Sequence, residues 1–439
     1  MITAYEFIDK KRRGMEHTPE EIRFFINGYV KGEITDYQAA AWLMAVCLNG
    51  MTDRETVELT LAMAHSGNNM YSFGTDGFYC DKHSTGGVGD KVTLFAAPVC
   101  AACGIYVPKM SGRGLGFTGG TIDKLEAVPG FETALEEERF LSVVKKAGCA
   151  VAGQTGTLVP ADKKLYALRS VTATTESIPL ICSSIMSKKI VMGADGVVLD
   201  VKVGDGAFMK DEESAEKLAR LMISVGEAAG QKCSAVLTDM SKPLGYTVGN
   251  AVEVIEAIEA LHGKDVPSFH EVAYEISAQM LLLSGYGTED ECRAAVENAV
   301  KSGAALERMR TMIALQGGDA RICDDPSLLG EIHKAKTEYP VYARQDGYIS
   351  GISCEKTGMV SLKLGAGREN KTDPIDMSAG IVFSAFVGDH VKKGDLLATL
   401  RTSRDIDIED IASEFSAVFG YCENEVIKRK NVIKVIKSC

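Results

Sequence analysis

The chain has 439 residues, 46% of them hydrophobic and 25% charged, with a formal net charge of −12; that length exceeds one comfortable core and predicts two or three packed units. The acidic balance excludes a broad nucleic-acid surface, which needs positive charge, so any anionic ligand must be held by a local cluster. No stretch is long and charge-free enough to span a bilayer, and MITAYEFIDKKRRG lacks the apolar run of a secretory signal, so the expectation is a cytoplasmic protein without membrane or nucleic-acid partners.

In the first 68 residues, Thr18, Thr35 and Thr52 each precede Glu or Gln by three positions (Glu21, Gln38, Glu55), and Pro19 takes the favoured first helical position. These are capping boxes, and they predict a small all-helical unit. Its run Ala39 to Leu48 is too apolar for a solvent-facing helix and is expected to pack on a partner helix or another subunit.

DKHSTGGVGDK, Asp81 to Lys91, follows as a predicted loop; Gly86, Gly87 and Gly89 permit close backbone approach to an anion, and Lys82, Ser84 and Thr93 add charge and hydroxyls. It is neither a P-loop nor a GxGxxG fingerprint, and a turn that serves packing alone is the alternative. His83 lies within it, with an ordinary pKa near neutrality suited to donating a hydrogen bond or a proton. A buried helix VTLFAAPVCAACG, containing Pro98, and a strand GIYVPKM come next.

The second glycine-rich segment, MSGRGLGFTGGTIDKLE from Met110 to Glu126, presents Ser111, Arg113 and Thr121 between glycines. Arg113 either reaches the anion or braces the loop, and bracing is favoured because Asp123 and Glu126 are available; those two acids are also candidate caps for the following helix. Helix from about Leu135, strand CAVAG, helices at Lys163–Arg169 and Pro179–Val191, strand GVVLDVKVG, helix Glu212–Ala228, strand SAVLTDM, and helices Ala251–Leu261 and Val272–Leu283 complete an α/β layer. Ser184 and Lys188, four apart on one helix face, could converge with Arg169 on a planar ligand rich in carbonyls, or form an ordinary surface SxxxK face.

From about Pro340 the texture changes to short β-prone runs with glycine turns: VYARQDGYISGIS, GMVSLKLGAG, GIVFSAFVGDHVKKGDLLATL and VIKRKNVIKVIKS. GDHVKKGDLLATL is reminiscent of a biotinyl or lipoyl hairpin but lacks an exposed acceptor lysine, so a scaffold role is expected. Twelve cysteines at irregular spacing suit buried free thiols, and the single pair Cys100 and Cys103 has no second pair at zinc spacing.

SGRGLGFTGGTIDKLE, KHSTGGVGDK and LRSVTATTESIPLICSSIMSKK, together with a β-rich C-terminal part, resemble the thymidine and pyrimidine-nucleoside phosphorylases over essentially the whole chain. The resemblance implies an α/β fold: a small all-helical domain (1–68 and 162–194), a large mixed-sheet α/β phosphate-binding domain (69–161 and 195–335), and a β-rich α+β domain (336–439). It implies reversible phosphorolysis of pyrimidine nucleosides, with inorganic phosphate as co-substrate, no organic cofactor, and a homodimer joined through the helical domain. Lys82, Ser84, Thr93, Lys109, Ser111 and Thr121 would bind phosphate. His83, Arg169, Ser184 and Lys188 would hold the base, with Leu115 lining the pocket and His83, Arg169 and Lys188 stabilising the departing anion. A monovalent cation site, with potassium the expected ion, would come from Gly89, Lys91, Leu244, Thr247 and Glu256, provided the Lys91 ammonium points away. Broad use of uridine, 2′-deoxyuridine and thymidine is expected; thymidine-specific phosphorolysis, AMP phosphorolysis, a related phosphoribosyltransferase and a non-enzymatic helical interaction protein are the other readings.

Overall fold

The computed structural model describes residues 2–67, 73–74, 76–114, 116–117, 119–153, 158–370 and 372–438. Four helices open the chain: α1 (Ala4–Arg12), α2 (Pro19–Lys31), α3 (Asp36–Asn49) and α4 (Asp53–Ala64). All three expected capping boxes are formed, and Thr3 with Glu6 adds a fourth. Their apolar faces meet in a buried aromatic stack, Phe7 on Phe25 at 4.4 Å and Phe25 on Trp42 at 5.0 Å between ring centroids.

The α/β layer then runs β1 (Cys80–Ser84), α5 (Val92–Ala102), β2 (Val107–Ser111), α6 (Thr121–Leu125), α7 (Glu137–Ala147), β3 (Cys149–Gly153), α8 (Pro160–Arg169), α9 (Ile178–Val191), β4 (Gly196–Val203), α10 (Glu212–Ala228) and β5 (Lys232–Asp239). A short β6 (Thr247–Gly249) leads into α11 (Asn250–Leu261), α12 (Pro267–Ser284), α13 (Glu289–Lys301), α14 (Ala304–Leu315) and α15 (Ser327–Ile332). β1, β4 and β5 are parallel neighbours, and β2 pairs in parallel with β3. β4 is buried along its whole length, which is why it reads GVVLDVKV rather than as an alternating strand. Its two charged residues, Asp200 and Lys202, are fully buried and pair with each other at 2.8 Å.

α8 and α9 pack against the N-terminal helices. Thr60 of α4 donates to Ser183 of α9 at 3.0 Å, and Lys164 of α8 donates to the Tyr29 carbonyl of α2 at 3.1 Å. The helical unit is therefore assembled from two separate parts of the chain, and it faces the carboxyl ends of β1 and β4 across a cleft.

The C-terminal part contains β7 (Thr337–Tyr342), β8 (Gly347–Ile352), α16 (Cys354–Leu364), β9 (Gly380–Phe383), β10 (His390–Val391), β11 (Leu396–Thr402), α17 (Ile408–Ser416), β12 (Phe419–Cys422) and β13 (Val432–Lys437). Two antiparallel sheets form, β6-β9-β11-β7 and β10-β8-β12. Three expectations need correction. GMVSLKLGAG is not β: it belongs to α16, whose start is held by Asp205, which accepts from the Ser353 hydroxyl at 2.9 Å and from the Cys354 amide at 3.0 Å. His83 lies in β1 rather than in a loop. In VIKRKNVIKVIKS only the second half is a strand, and β13 leaves the C-terminal sheets to pair antiparallel with β5 of the central one.

Candidate active site

β1 and β4 end side by side, with Ser84 in register with Asp200, and so deliver a cluster of charge to the floor of the cleft. Lys82, 1% exposed, pairs with Asp200 at 3.1 Å and lies 3.9 Å from Asp90; Lys202 shares the same Asp200 oxygen at 2.8 Å. Ser84 donates to Asp90 at 2.5 Å, and Lys124 joins from α6 by donating to the Asp90 carbonyl at 2.7 Å while pairing with Glu253 at 2.8 Å. Burial opposes the charge on Asp90, but Lys202, Lys82 and Lys124 outweigh it and hold that carboxyl far below the usual range.

A second buried group lies alongside: Lys189 pairs with Asp81 at 2.7 Å, and Lys109 sits 3.9 Å from the same carboxylate and donates to the Met110 carbonyl at 2.6 Å. Burial, followed by the like charge of Lys189, pushes Lys109 well below an ordinary lysine. Lys109 and Lys189 share one carboxylate, and such a surplus of positive charge in a buried place is relieved by an arriving anion. Ser111 ends β2 and Thr121 begins α6, both half-buried, while Thr93 is buried in the first turn of α5.

The glycine-rich loop before α6 is braced as expected. Arg113 donates to Glu126 at 2.5 and 2.6 Å and to Asp123 at 3.1 Å, and Asp123 also accepts the Gly114 amide at 2.7 Å and Arg368 at 2.6 Å. Asp123 and Glu126 thus hold the loop instead of capping the helix, whose N-cap is Gly120. A Cβ at Gly120 would stand 2.0 Å from the Gly114 nitrogen, so only glycine permits this closure. The C-terminal part backs the loop: the Gly116 amide donates to the Arg368 carbonyl at 3.0 Å, and a Cβ on Gly358 of α16 would meet the Phe117 carbonyl at 2.8 Å.

The opposite wall is built from α8 and α9. Arg169 is buried, and its guanidinium donates to the carbonyls of Thr174 at 3.1 Å, Thr175 at 2.9 Å and Leu180 at 2.9 Å. Those bonds use three of its five N–H groups and fix the connection between the two helices, leaving two donors. Lys188 donates to the Ser184 hydroxyl at 3.2 Å and pairs with Asp162 of α8 at 2.5 Å. Asp162 was outside the expected site residues; its partner lies 26 residues away, and only the packing of α8 on α9 brings them together.

Between the walls lies a cavity of about 880 Å³. His83, Ser84 and Arg113 line one side, and Arg169, Ser184 and Lys188 line the other. Tyr166, Ile181, Ile185 and Phe208 add apolar surface, of which Tyr166 and Phe208 lie outside the quoted motifs. Lys82, Thr93 and Lys109 lie buried behind the wall rather than on it, and Leu115 is outside the described residues. The His83 imidazole is held well below its ordinary pKa by burial first and then by Lys189, Lys109, Lys82 and Lys188, and its buried Nε2 has no hydrogen-bond partner among the described residues. That direction favours the neutral imidazole, the form suited to hydrogen bonding.

The expected cation ligands do converge, but around an ammonium. Lys91 Nζ lies 2.6 Å from Glu256 Oε2, 2.7 Å from the Leu244 carbonyl and 3.4 Å from that of Thr247. Its side chain points into the set, not away, so these residues do not fit an added potassium ion.

Three family models match the chain. The glycosyl transferase family helical bundle domain covers residues 5–67, the glycosyl transferase family a/b domain residues 76–306, and the pyrimidine nucleoside phosphorylase C-terminal domain residues 348–421. The pyrimidine-nucleoside phosphorylase of Geobacillus stearothermophilus is 50% identical over 92% of this chain and 93% of its own length. That of Bacillus subtilis (strain 168) is 49% identical over 94% of this chain and 95% of its own. Among solved structures, anthranilate phosphoribosyltransferase from Thermus thermophilus shares the fold, with a TM-score of 0.59 and 19% identity over 71% of this chain and 99% of that one. With half its residues shared over nearly the full length of such relatives, and with their C-terminal domain present, the chain belongs to the pyrimidine-nucleoside phosphorylase family.

Proposed function

We propose that this enzyme catalyses the reversible phosphorolysis of pyrimidine nucleosides (uridine, 2′-deoxyuridine and thymidine) to the free base and α-D-ribose or 2-deoxyribose 1-phosphate. The observation that carries the reading is a single cleft with His83, Ser84 and Arg113 on one side, backed by the buried Lys82, and Arg169, Ser184 and Lys188 on the other. Phosphate, drawn to Lys82, Ser84, Thr93, Lys109, Ser111 and Thr121, attacks the anomeric carbon from the face opposite the base. The new C–O bond forms as the glycosidic C–N bond breaks, and its electron pair leaves with the pyrimidine. Lys188, Arg169 and the neutral N–H of His83 stabilise that developing negative charge, and positioning of the two reactants supplies much of the rate. Asp162 and Ser184 aim the Lys188 ammonium, while Ile181 and Ile185 offer apolar surface for the ring.

The helical unit, 1–68 with 162–194, would close as one body on the α/β domain of 69–161 and 195–335, with 336–439 bracing the phosphate loop; the Thr60–Ser183 bond within the helical unit supports this. A homodimer through the helical unit is supported by α3, where Tyr37, Ala41, Met44 and Leu48 form an exposed apolar stripe at helical spacing, Tyr37 at 75% and Leu48 at 77% exposure. A cytoplasmic location is supported by the eleven described cysteines, all free thiols. No described helix is long and apolar enough to cross a membrane.

The test is phosphate-dependent release of free base from uridine, 2′-deoxyuridine, thymidine, cytidine, adenosine and AMP, in the native enzyme and in Lys188→Ala. The expected result is turnover of the first three and a severe loss of turnover in the variant with its fold intact. Release from adenosine or AMP alone overturns the assignment, failure on uridine while thymidine reacts defeats the broad specificity, and near-normal catalysis by the variant removes Lys188 from the site.

A further inference from the structure

We infer that Lys91 supplies the cation of its own cage: its ammonium stands where the family resemblance would place potassium, and the enzyme works without a monovalent ion. Three acceptors surround Nζ, namely Glu256 Oε2 at 2.6 Å and the carbonyls of Leu244 at 2.7 Å and Thr247 at 3.4 Å. They match the three donors of an ammonium, and the two shorter contacts have charge-assisted lengths. The side chain is 0% exposed, and the Phe269 ring lies 5.5 Å away on a further side.

Both oxygens of the cage carboxylate are already engaged among the described residues. Glu256 Oε1 already accepts the Tyr246 amide at 2.7 Å, and Oε2 accepts the Thr247 hydroxyl at 2.7 Å besides Lys91. The walls are fixed by glycine: Gly245, at φ +79°, would place a Cβ 2.7 Å from Nζ, and Gly89, at φ +74°, would place one 2.6 Å from the Leu244 carbonyl. A potassium ion entering here would meet a like charge in a buried space, which is strongly unfavourable. Lys91 also stands at the N-cap of α5, directly after the Gly86–Gly89 turn, so the ammonium ties that turn to β6 and α11 by a covalently held charge rather than one borrowed from solution.

The inference takes from the family reading only the expectation of a cation, and its thermal readout reports on the cage even if every nucleoside fails to react. Full-length enzyme freed of potassium is melted, and assayed for phosphorolysis, in potassium, sodium and tetramethylammonium chlorides at equal ionic strength. The expected result is one melting temperature and one rate in all three; a saturable rise in either that is specific to potassium overturns the inference. Lys91→Ser vacates the cage, and its melting temperature is expected to fall in tetramethylammonium and to climb with the logarithm of potassium concentration, with thallium(I) binding seen by ²⁰⁵Tl NMR. Lys91→Met fills the cage without charge and is expected to show no such rescue. Insensitivity of Lys91→Ser to potassium, or equal rescue of both variants, overturns the inference; if neither variant folds in any salt, the native comparison still decides it.

Discussion

Replacing Asp162 by Asn tests how far the Lys188 ammonium depends on its carboxylate partner in the helical wall. The side chains are nearly isosteric, so the change removes charge while keeping shape and one acceptor oxygen. Asp162 is buried and lies 2.5 Å from an ammonium that is itself one-fifth exposed. A hydrogen bond between charged groups contributes about 1.5–3 kcal/mol; the retained amide oxygen and the Ser184 hydroxyl, 3.2 Å from Nζ, keep part of that, placing the expected loss near the lower end. A loss of about 1.5–2 kcal/mol in transition-state stabilisation corresponds to roughly 10- to 30-fold in kcat/KM for the nucleoside. Steady-state phosphorolysis with either substrate varied, alongside a thermal melt, measures it. The KM for phosphate should hardly move, because Asp162 stands on the helical wall. A variant whose nucleoside kcat/KM stays within about twofold of the native enzyme, or whose phosphate KM moves as much as the nucleoside term, refutes a positioning role for Asp162.

Two further outcomes follow from other parts of the fold. His17 stacks on Phe7 at 3.7 Å with its ring planes 5° apart, and burial, then Lys11, hold its pKa down to about 4 from an ordinary 6.5. The unfolded chain binds that proton more readily, so the stability it contributes is complete above about pH 6.5 and is lost as pH falls toward 4. His17→Phe should therefore melt like the native enzyme at about pH 7.5 and higher than it at about pH 5, and identical acid limbs in the two proteins contradict the assignment. In the phosphate loop, Gly120→Ala forces a Cβ to within 2.0 Å of the Gly114 nitrogen and 2.6 Å of the Arg113 carbonyl carbon, so the loop must move. The expectation is a phosphate KM raised by roughly tenfold, for a displacement costing about 1–3 kcal/mol, with nucleoside KM changed far less; an unaltered phosphate KM in a folded variant refutes it.

What could be seen in the sequence was what is local in the chain. The capping boxes at Thr18, Thr35 and Thr52 are three-residue devices and were legible as such, and the buried strand around Val198 announced itself as an apolar run. The two glycine-rich segments and the Ser184/Lys188 spacing carried the family resemblance and hence the proposed site. Contacts made across long stretches of chain were not legible. Asp205 starts α16 from 149 residues away, which is why GMVSLKLGAG read as β. The electrostatic setting of His83 depends on Lys109 and Lys189, and the orientation of Lys91 depends on a carbonyl 153 residues distant. The polarity of DKHS likewise hid a strand, because its burial is imposed by β4 alongside.

The pairing of β13 with β5 has a consequence for how the polypeptide is made. Ser438 reaches the Cys233 carbonyl across 205 residues, so β5 keeps a bare edge until that late segment has been synthesised and has returned. A nascent or truncated chain would present an apolar, hydrogen-bond-hungry strand to any neighbour, the usual starting point for edge-to-edge association. The central sheet thus takes one edge strand from a segment about 200 residues downstream of its neighbour.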